Sequence, residues 1–130
     1  MSDPLEVLVV EDDPDFREVV TEQFARDPSL STTEARDGEE AMMLLDRGFV
    51  PRLVLLDLEL PKIHGLQVLQ RLRSDSRYQH TAVVITGSAC GDMKARPWWQ
   101  PEEVCLPKPF QSEELAMAIK RAFAVAEVAR

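Results

Sequence analysis

Leu5-Glu-Val-Leu-Val-Val-Glu-Asp-Asp-Pro14 joins a nearly unbroken apolar run to a cluster of acids, and Arg52-Leu-Val-Leu-Leu-Asp57 repeats the pattern, again ending on a carboxylate. Short runs that are apolar at successive positions read as parallel strands covered on both faces. Two such strands that both end in acids predict a sheet with its charged groups gathered along one edge. Outward from the first run, Asp13 and Pro14 read as the N-cap and first residue of a helix. In that helix Phe16, Val19, Val20 and Phe24 recur at helical spacing up to Asp27-Pro28. Leu30 to Glu34 is a weaker, more polar strand, expected near a sheet edge. Asp37 then caps a second helix whose Ala41, Leu44 and Leu45 face inward, and Gly48 stops it.

Beyond Asp57, a Pro61 loop and Gly65 lead into a third helix with Leu66, Val68, Leu69 and Leu72. Thr81-Ala-Val-Val-Ile85 is another buried strand and Val104-Cys-Leu106 a short fifth one. Ser112 is expected to cap a final helix with Leu115, Ala116, Ile119, Ala122 and Phe123 on one face. Between these last two strands, Gly87, Gly91, Pro97, Trp98, Trp99 and Pro101 allow at most a short or irregular helix. The strand and helix alternation predicts an α/β fold with an open, doubly wound parallel sheet. Ligands in such folds sit beyond the carboxyl ends of the strands. Glu11, Asp12, Asp57, Thr86 and Lys108 all fall there.

The 130 residues, 45% of them apolar, suit one compact domain spanning 1–130. Acidic residues outnumber basic ones by 23 to 15, a formal charge of -8 that repels phosphate backbones and anionic lipid, so direct nucleic-acid or membrane binding is not expected. The N-terminus lacks a secretory pattern and no apolar run reaches the roughly 20 residues that span a bilayer, which reads as a cytoplasmic protein. Cys90 and Cys105 lack metal-ligand spacing and are expected to be free thiols. His64 and His80 read as loop residues.

Three carboxylates brought together at adjacent strand ends repel one another unless a cation or proton intervenes. A hard divalent ion such as Mg2+ takes one or two protein carboxylates with backbone or water oxygens and leaves positions for phosphate oxygens; Asp12 and Asp57 suit that role. The same ion screens an incoming phosphate from the carboxylate that attacks it. Lys108 adds a mobile positive charge and Thr86 a hydroxyl donor, which completes the parts of an acyl-phosphate site.

Four pieces in order, Val9-Val-Glu-Asp-Asp-Pro14, Leu55-Leu-Asp-Leu-Glu-Leu-Pro61 with Gly65, Ile85-Thr-Gly87 and Pro107-Lys-Pro-Phe110, make nearly the whole chain resemble the receiver domain of two-component response regulators. The resemblance implies a flavodoxin-like, five-stranded sheet in the order 2-1-3-4-5. It implies Asp57 as phosphoacceptor, Asp12 as a direct Mg2+ ligand, Glu11 acting through a metal-bound water, and the Glu59 carbonyl completing the protein ligands. Thr86 would bond the phosphoryl group and relocate on activation. Lys108 would pair with the phosphoryl group, and the Lys108-Pro109 bond would be cis. The donor would be the phosphohistidine of a sensor histidine kinase or a phosphotransfer protein. Such a protein catalyses its own phosphorylation and dephosphorylation and turns over no independent substrate.

The chain departs from the family pattern at Cys105, where an aromatic switch residue is usual, and at Gly87, where alanine is common; the usual Gly-Ala turn before the fifth strand is also absent. Glu59 and Ser88 occupy positions that in this family influence dephosphorylation. Two alternatives follow. A degenerate receiver would act as a phosphorylation-independent interaction module. A phosphatase of the haloacid-dehalogenase type would want a second aspartate where Glu59 stands. Trp98 and Trp99 read either as a partner-binding patch or as a plug over the sheet edge.

Overall fold

The computed structural model describes residues 3–59, 65–87, 99–100 and 103–129. Strand β1 (Leu5–Val10) leads into helix α1 (Pro14–Ala25), then β2 (Leu30–Ala35), α2 (Gly38–Asp46), β3 (Leu53–Asp57) and α3 (Gly65–Ser74). A 3-10 turn at Ser76–Tyr78 precedes β4 (Ala82–Gly87), followed by β5 (Val104–Pro107) and the last helix, α4 (Ser112–Ala129). All five strands run parallel in the order β2-β1-β3-β4-β5. The doubly wound sheet expected from the sequence is therefore observed, with the polar strand β2 at an edge. The irregular segment expected between the fourth and fifth strands lies almost wholly outside the described residues, as do His64, Ser88, Cys90 and Trp98.

The sheet separates two cores. On one face Leu8, Val10, Val54, Leu56 and Ile85 pack with Ala41 and Leu45 of α2, Val68, Leu69 and Leu72 of α3, and Tyr78. On the other Val7, Val9, Leu53, Leu55, Val84 and Leu106 pack with Val20 and Phe24 of α1 and Leu115, Ala118, Ala122 and Ala126 of α4. Successive strand residues alternate between these faces, which is why β1, β3 and β4 are apolar along most of their length. Tyr78 is fully buried and donates its hydroxyl to the Leu45 carbonyl at 3.3 Å. Trp99 packs against the α2/α3 core, in keeping with the plug reading for that residue.

Several local expectations need correction. Val19 is exposed, because Val20 and Phe24 take the buried stripe of α1. Ala116 is likewise exposed, and Ala118 replaces it against the sheet. Ser112 is the first helical residue rather than the cap. The preceding Gln111 donates its backbone N–H to Glu114 Oε1 at 2.9 Å and accepts from the Leu115 N–H, a reciprocal closure of the first turn. Asp13 and Asp37 do cap α1 and α2: Asp13 Oδ1 accepts from the amides of Asp15 and Phe16, and Asp37 Oδ1 from that of Glu40. Gly48 takes a positive φ of 95° just after α2, the conformation that favours glycine at a helix end. Cys105 is disulfide-bonded rather than a free thiol.

Candidate functional site

The site is built from the ends of three strands. β1 and β3 are neighbours in register up to Val10 opposite Leu56, so Glu11 and Asp57 emerge side by side. Asp57 and Thr86 are still within β3 and β4, directly opposite one another in the ladder, rather than past the strand ends as the sequence suggested. The ladder is held to that point because Leu58 N–H reaches the Thr86 carbonyl at 3.4 Å. Lys108 follows β5, its backbone N–H bonded to the Gly87 carbonyl at 3.1 Å, and the Lys108-Pro109 peptide is cis as expected.

Loop chemistry fixes the acids. The Glu11 amide bonds the Ala35 carbonyl at 3.1 Å, and Glu11 Oε2 accepts from the Asp13 amide at 3.2 Å. Arg17, one turn into α1, donates Nη1 to the Glu11 carbonyl at 2.8 Å and Nε to Glu34 Oε1 at 3.1 Å, tying α1 to the ends of β1 and β2. Asp57 Oδ1 accepts from the Glu59 amide at 2.8 Å, so the carboxylate is oriented by the loop that follows it. Gly65 opens α3 directly against that loop. A Cβ at this position would collide with the Asp57 carbonyl and lie 2.5 Å from the Leu58 Cα.

Glu11, Asp57 and Thr86 are almost completely buried, at 2%, 3% and 1% exposure, while Asp12 stands in solvent at the mouth of the site. Lys108 Nζ bridges the buried pair, 2.5 Å from Glu11 Oε1 and 3.1 Å from Asp57 Oδ2. Burial pushes the Glu11 carboxyl up to about 7, against the lowering effect of its bond from Lys108; the neighbouring Asp57 charge adds to the rise. Burial acts to lower the Lys108 ammonium, but its bond to Glu11 and the attraction of both carboxylates outweigh this and raise it. The lysine therefore stays charged.

Glu11, Asp12 and Asp57 each offer a carboxylate oxygen, and these oxygens lie within 4.8 Å of one another. The donor set is all oxygen and the three carboxylates outnumber the single ammonium by two formal charges, which fits a hard dication such as Mg2+. The Glu59 side of the loop approaches through its amide contact with Asp57. Two residues escaped the sequence reading. Arg17 was hidden among the polar positions of α1. Phe16 looks in sequence like part of the apolar stripe, yet its ring centroid lies 4.5 Å from Lys108 Nζ.

A flavodoxin-like parallel sheet with an acidic cluster, a hydroxyl and a lysine at its carboxyl edge defines the class of doubly wound signalling domains. The chain belongs to the response regulator receiver domain family, whose pattern it matches over residues 7–120. It is 30% identical over 125 residues to the response regulator Rre1 of Synechocystis, covering 95% of this chain and 54% of that protein. It is 40% identical over 75 residues, 57% of this chain, to a protein-glutamate methylesterase/protein-glutamine glutaminase of Myxococcus xanthus, of which the match spans 21%. The solved structure of the bacteriophytochrome response regulator AtBRR superposes with a TM-score of 0.79 at 29% identity, covering 93% of this chain and 94% of the other. The chain thus spans about half the length of Rre1 and a fifth of the methylesterase. As a receiver domain it belongs to two-component signalling, and no helix among the described residues is long and apolar enough to cross a membrane.

Proposed function

We propose that residues 1–130 act as one phosphoacceptor domain that takes a phosphoryl group onto Asp57 from the phosphohistidine of a sensor histidine kinase or phosphotransfer protein and signals by a conformational change. The observation that carries this reading is the bridge from Lys108 Nζ to both Glu11 and Asp57, two buried carboxylates on neighbouring strands, with Asp12 beside them. An Asp57 oxygen would form a bond to phosphorus as the bond from phosphorus to the donor imidazole nitrogen breaks, the imidazole nitrogen keeping that electron pair. Asp12, Asp57, the Glu59 carbonyl and Glu11 would hold Mg2+, which would supply the positive charge that lets two anions approach. Lys108 shifts from the carboxylates toward the phosphoryl oxygens, while the Glu59 amide keeps Asp57 aimed. Thr86, opposite Asp57 in the ladder, supplies a hydroxyl to the same oxygens and moves on activation.

No independent substrate is turned over in this account. The setting is the cytoplasm, the downstream partner is a protein, and neither nucleic acid nor membrane is bound directly, in line with the net charge of -8. Acetyl phosphate with Mg2+ is expected to label the wild type once and to leave Asp57→Ala unlabelled. Equal labelling of both removes Asp57 from the mechanism. Binding of kinase or output partner that is indifferent to phosphorylation favours the degenerate receiver, and steady release of phosphate from small phosphate esters favours the phosphatase.

A further inference from the structure

The ammonium of Lys108 has three close neighbours. Two are the oxygens of Glu11 and Asp57, and the third is the face of the Phe16 ring, 4.5 Å from Nζ to the ring centroid. Both oxygen partners belong to groups that a bound cation would also claim. The ring alone does not compete for that cation.

The placement of Phe16 is built in rather than incidental. Asp13 caps α1 by accepting from the Phe16 amide at 3.4 Å, Pro14 sets the first turn, and Arg17 anchors that turn to the Glu11 carbonyl. On the other side Phe110, two residues past Lys108, meets the Phe16 ring edge-on, with centroids 5.2 Å apart and planes at 86°. This T-shaped pair holds the plane of the ring so that its negative face turns toward the lysine.

We infer that Phe16 is a positioning residue for phosphoryl transfer: its ring face seats the Lys108 ammonium beside Asp57. The inference rests on the phosphoacceptor reading given above. An ion pair grips an ammonium along fixed hydrogen bonds, whereas a ring face attracts it without fixing its direction. Lys108 can therefore leave Glu11 and Asp57 for a phosphoryl oxygen without losing the contact that keeps its flexible four-carbon stem in the site. A leucine at position 16 would fill much of the same volume and supply no such attraction.

The test compares phosphorylation rates by acetyl phosphate with Mg2+ in five proteins: wild type, Phe16→Leu, Phe16→Tyr, Lys108→Met, and Phe16→Leu combined with Lys108→Met. Phe16→Leu is expected to slow phosphorylation about three- to tenfold, the range of a partly desolvated cation–π contact. Phe16→Tyr, which keeps a ring face, restores most of the rate. Without the lysine charge, the leucine substitution has no further effect on the residual rate. A ring that only filled space would slow both backgrounds equally, and that result overturns the inference, as does a Phe16→Leu protein as fast as wild type. A wild type that accepts no phosphoryl group overturns the phosphoacceptor reading and this inference together. A phosphorylated wild type with an unaffected Phe16→Leu overturns this inference alone. Independently of any phosphorylation, the Lys108 ε-methylene protons should show an upfield ring-current shift in wild type and Phe16→Tyr that disappears in Phe16→Leu. Its absence in the wild type refutes the contact.

Discussion

Replacing Glu11 with Gln tests the electrostatics of the site without removing the proposed nucleophile. Burial raises the Glu11 carboxyl from an ordinary 4.5 to about 7, so in the metal-free fold it resists ionisation. At about 1.36 kcal/mol per pKa unit that gap corresponds to at most about 3 kcal/mol, and hydration at the open mouth beside exposed Asp12 reduces it to roughly 1–2 kcal/mol. The sign follows from proton linkage. A group whose folded value is raised contributes its stability in full below the unfolded value near 4.5 and loses it as pH climbs through about 7. Urea denaturation of the wild type in EDTA should therefore show stability falling between about pH 5 and pH 8 relative to Glu11→Gln. Asp27, Glu40 and Asp75, all held low by hydrogen bonds from partners, act at lower pH and cancel between the two proteins. Added Mg2+ should recover the loss in the wild type, and more at pH 8 than at pH 6, where binding must first displace a proton. Stability curves that run parallel for the two proteins across this range would refute the reasoning.

Two further substitutions probe the frame around the site. Gly65→Ala would press a methyl group into the backbone of Asp57 and Leu58, which cannot rotate away; a loss of about 1–3 kcal/mol in urea denaturation is expected, together with slower labelling of Asp57. Tyr78→Phe removes only the hydroxyl bonded to the Leu45 carbonyl. It should cost about 0.5–1.5 kcal/mol in the same assay and leave the rate of phosphorylation unchanged, because Tyr78 touches α2 rather than the acids.

Much of this arrangement is legible in the sequence because the fold leaves a strong mark on composition. β1 and β3 are buried on both faces over most of their length, so they read as nearly unbroken apolar runs, and the acids that end them stand out. The caps Asp13 and Asp37 act through contacts two and three residues away, which a linear reading captures. Sequence is ambiguous where neighbouring residues are equally suited to one role. Val19 and Val20 both fit an apolar stripe, and only the contact of α1 with the sheet buries one and exposes the other. Gln111 is an unusual cap, made effective by Glu114 reaching back to its amide. Longer-range features were illegible for a different reason. The Arg17 bond to Glu34, the buried Tyr78 hydroxyl on Leu45 and the seat of Lys108 on Phe16 all join residues far apart in the chain. Phe16 shows the limit well, since an aromatic at helical spacing looks like any core residue until the lysine that follows β5 is folded over it.

The central claim concerns one side chain, and mapping the modified residue addresses it most directly. After treatment with acetyl phosphate and Mg2+, borohydride reduction of the acyl phosphate and peptide mass spectrometry should find the reduced side chain at position 57 and at no other acid of the cluster. Reduction at Glu11, Asp12 or Glu59 instead, or no reducible acyl phosphate at all, would contradict the account.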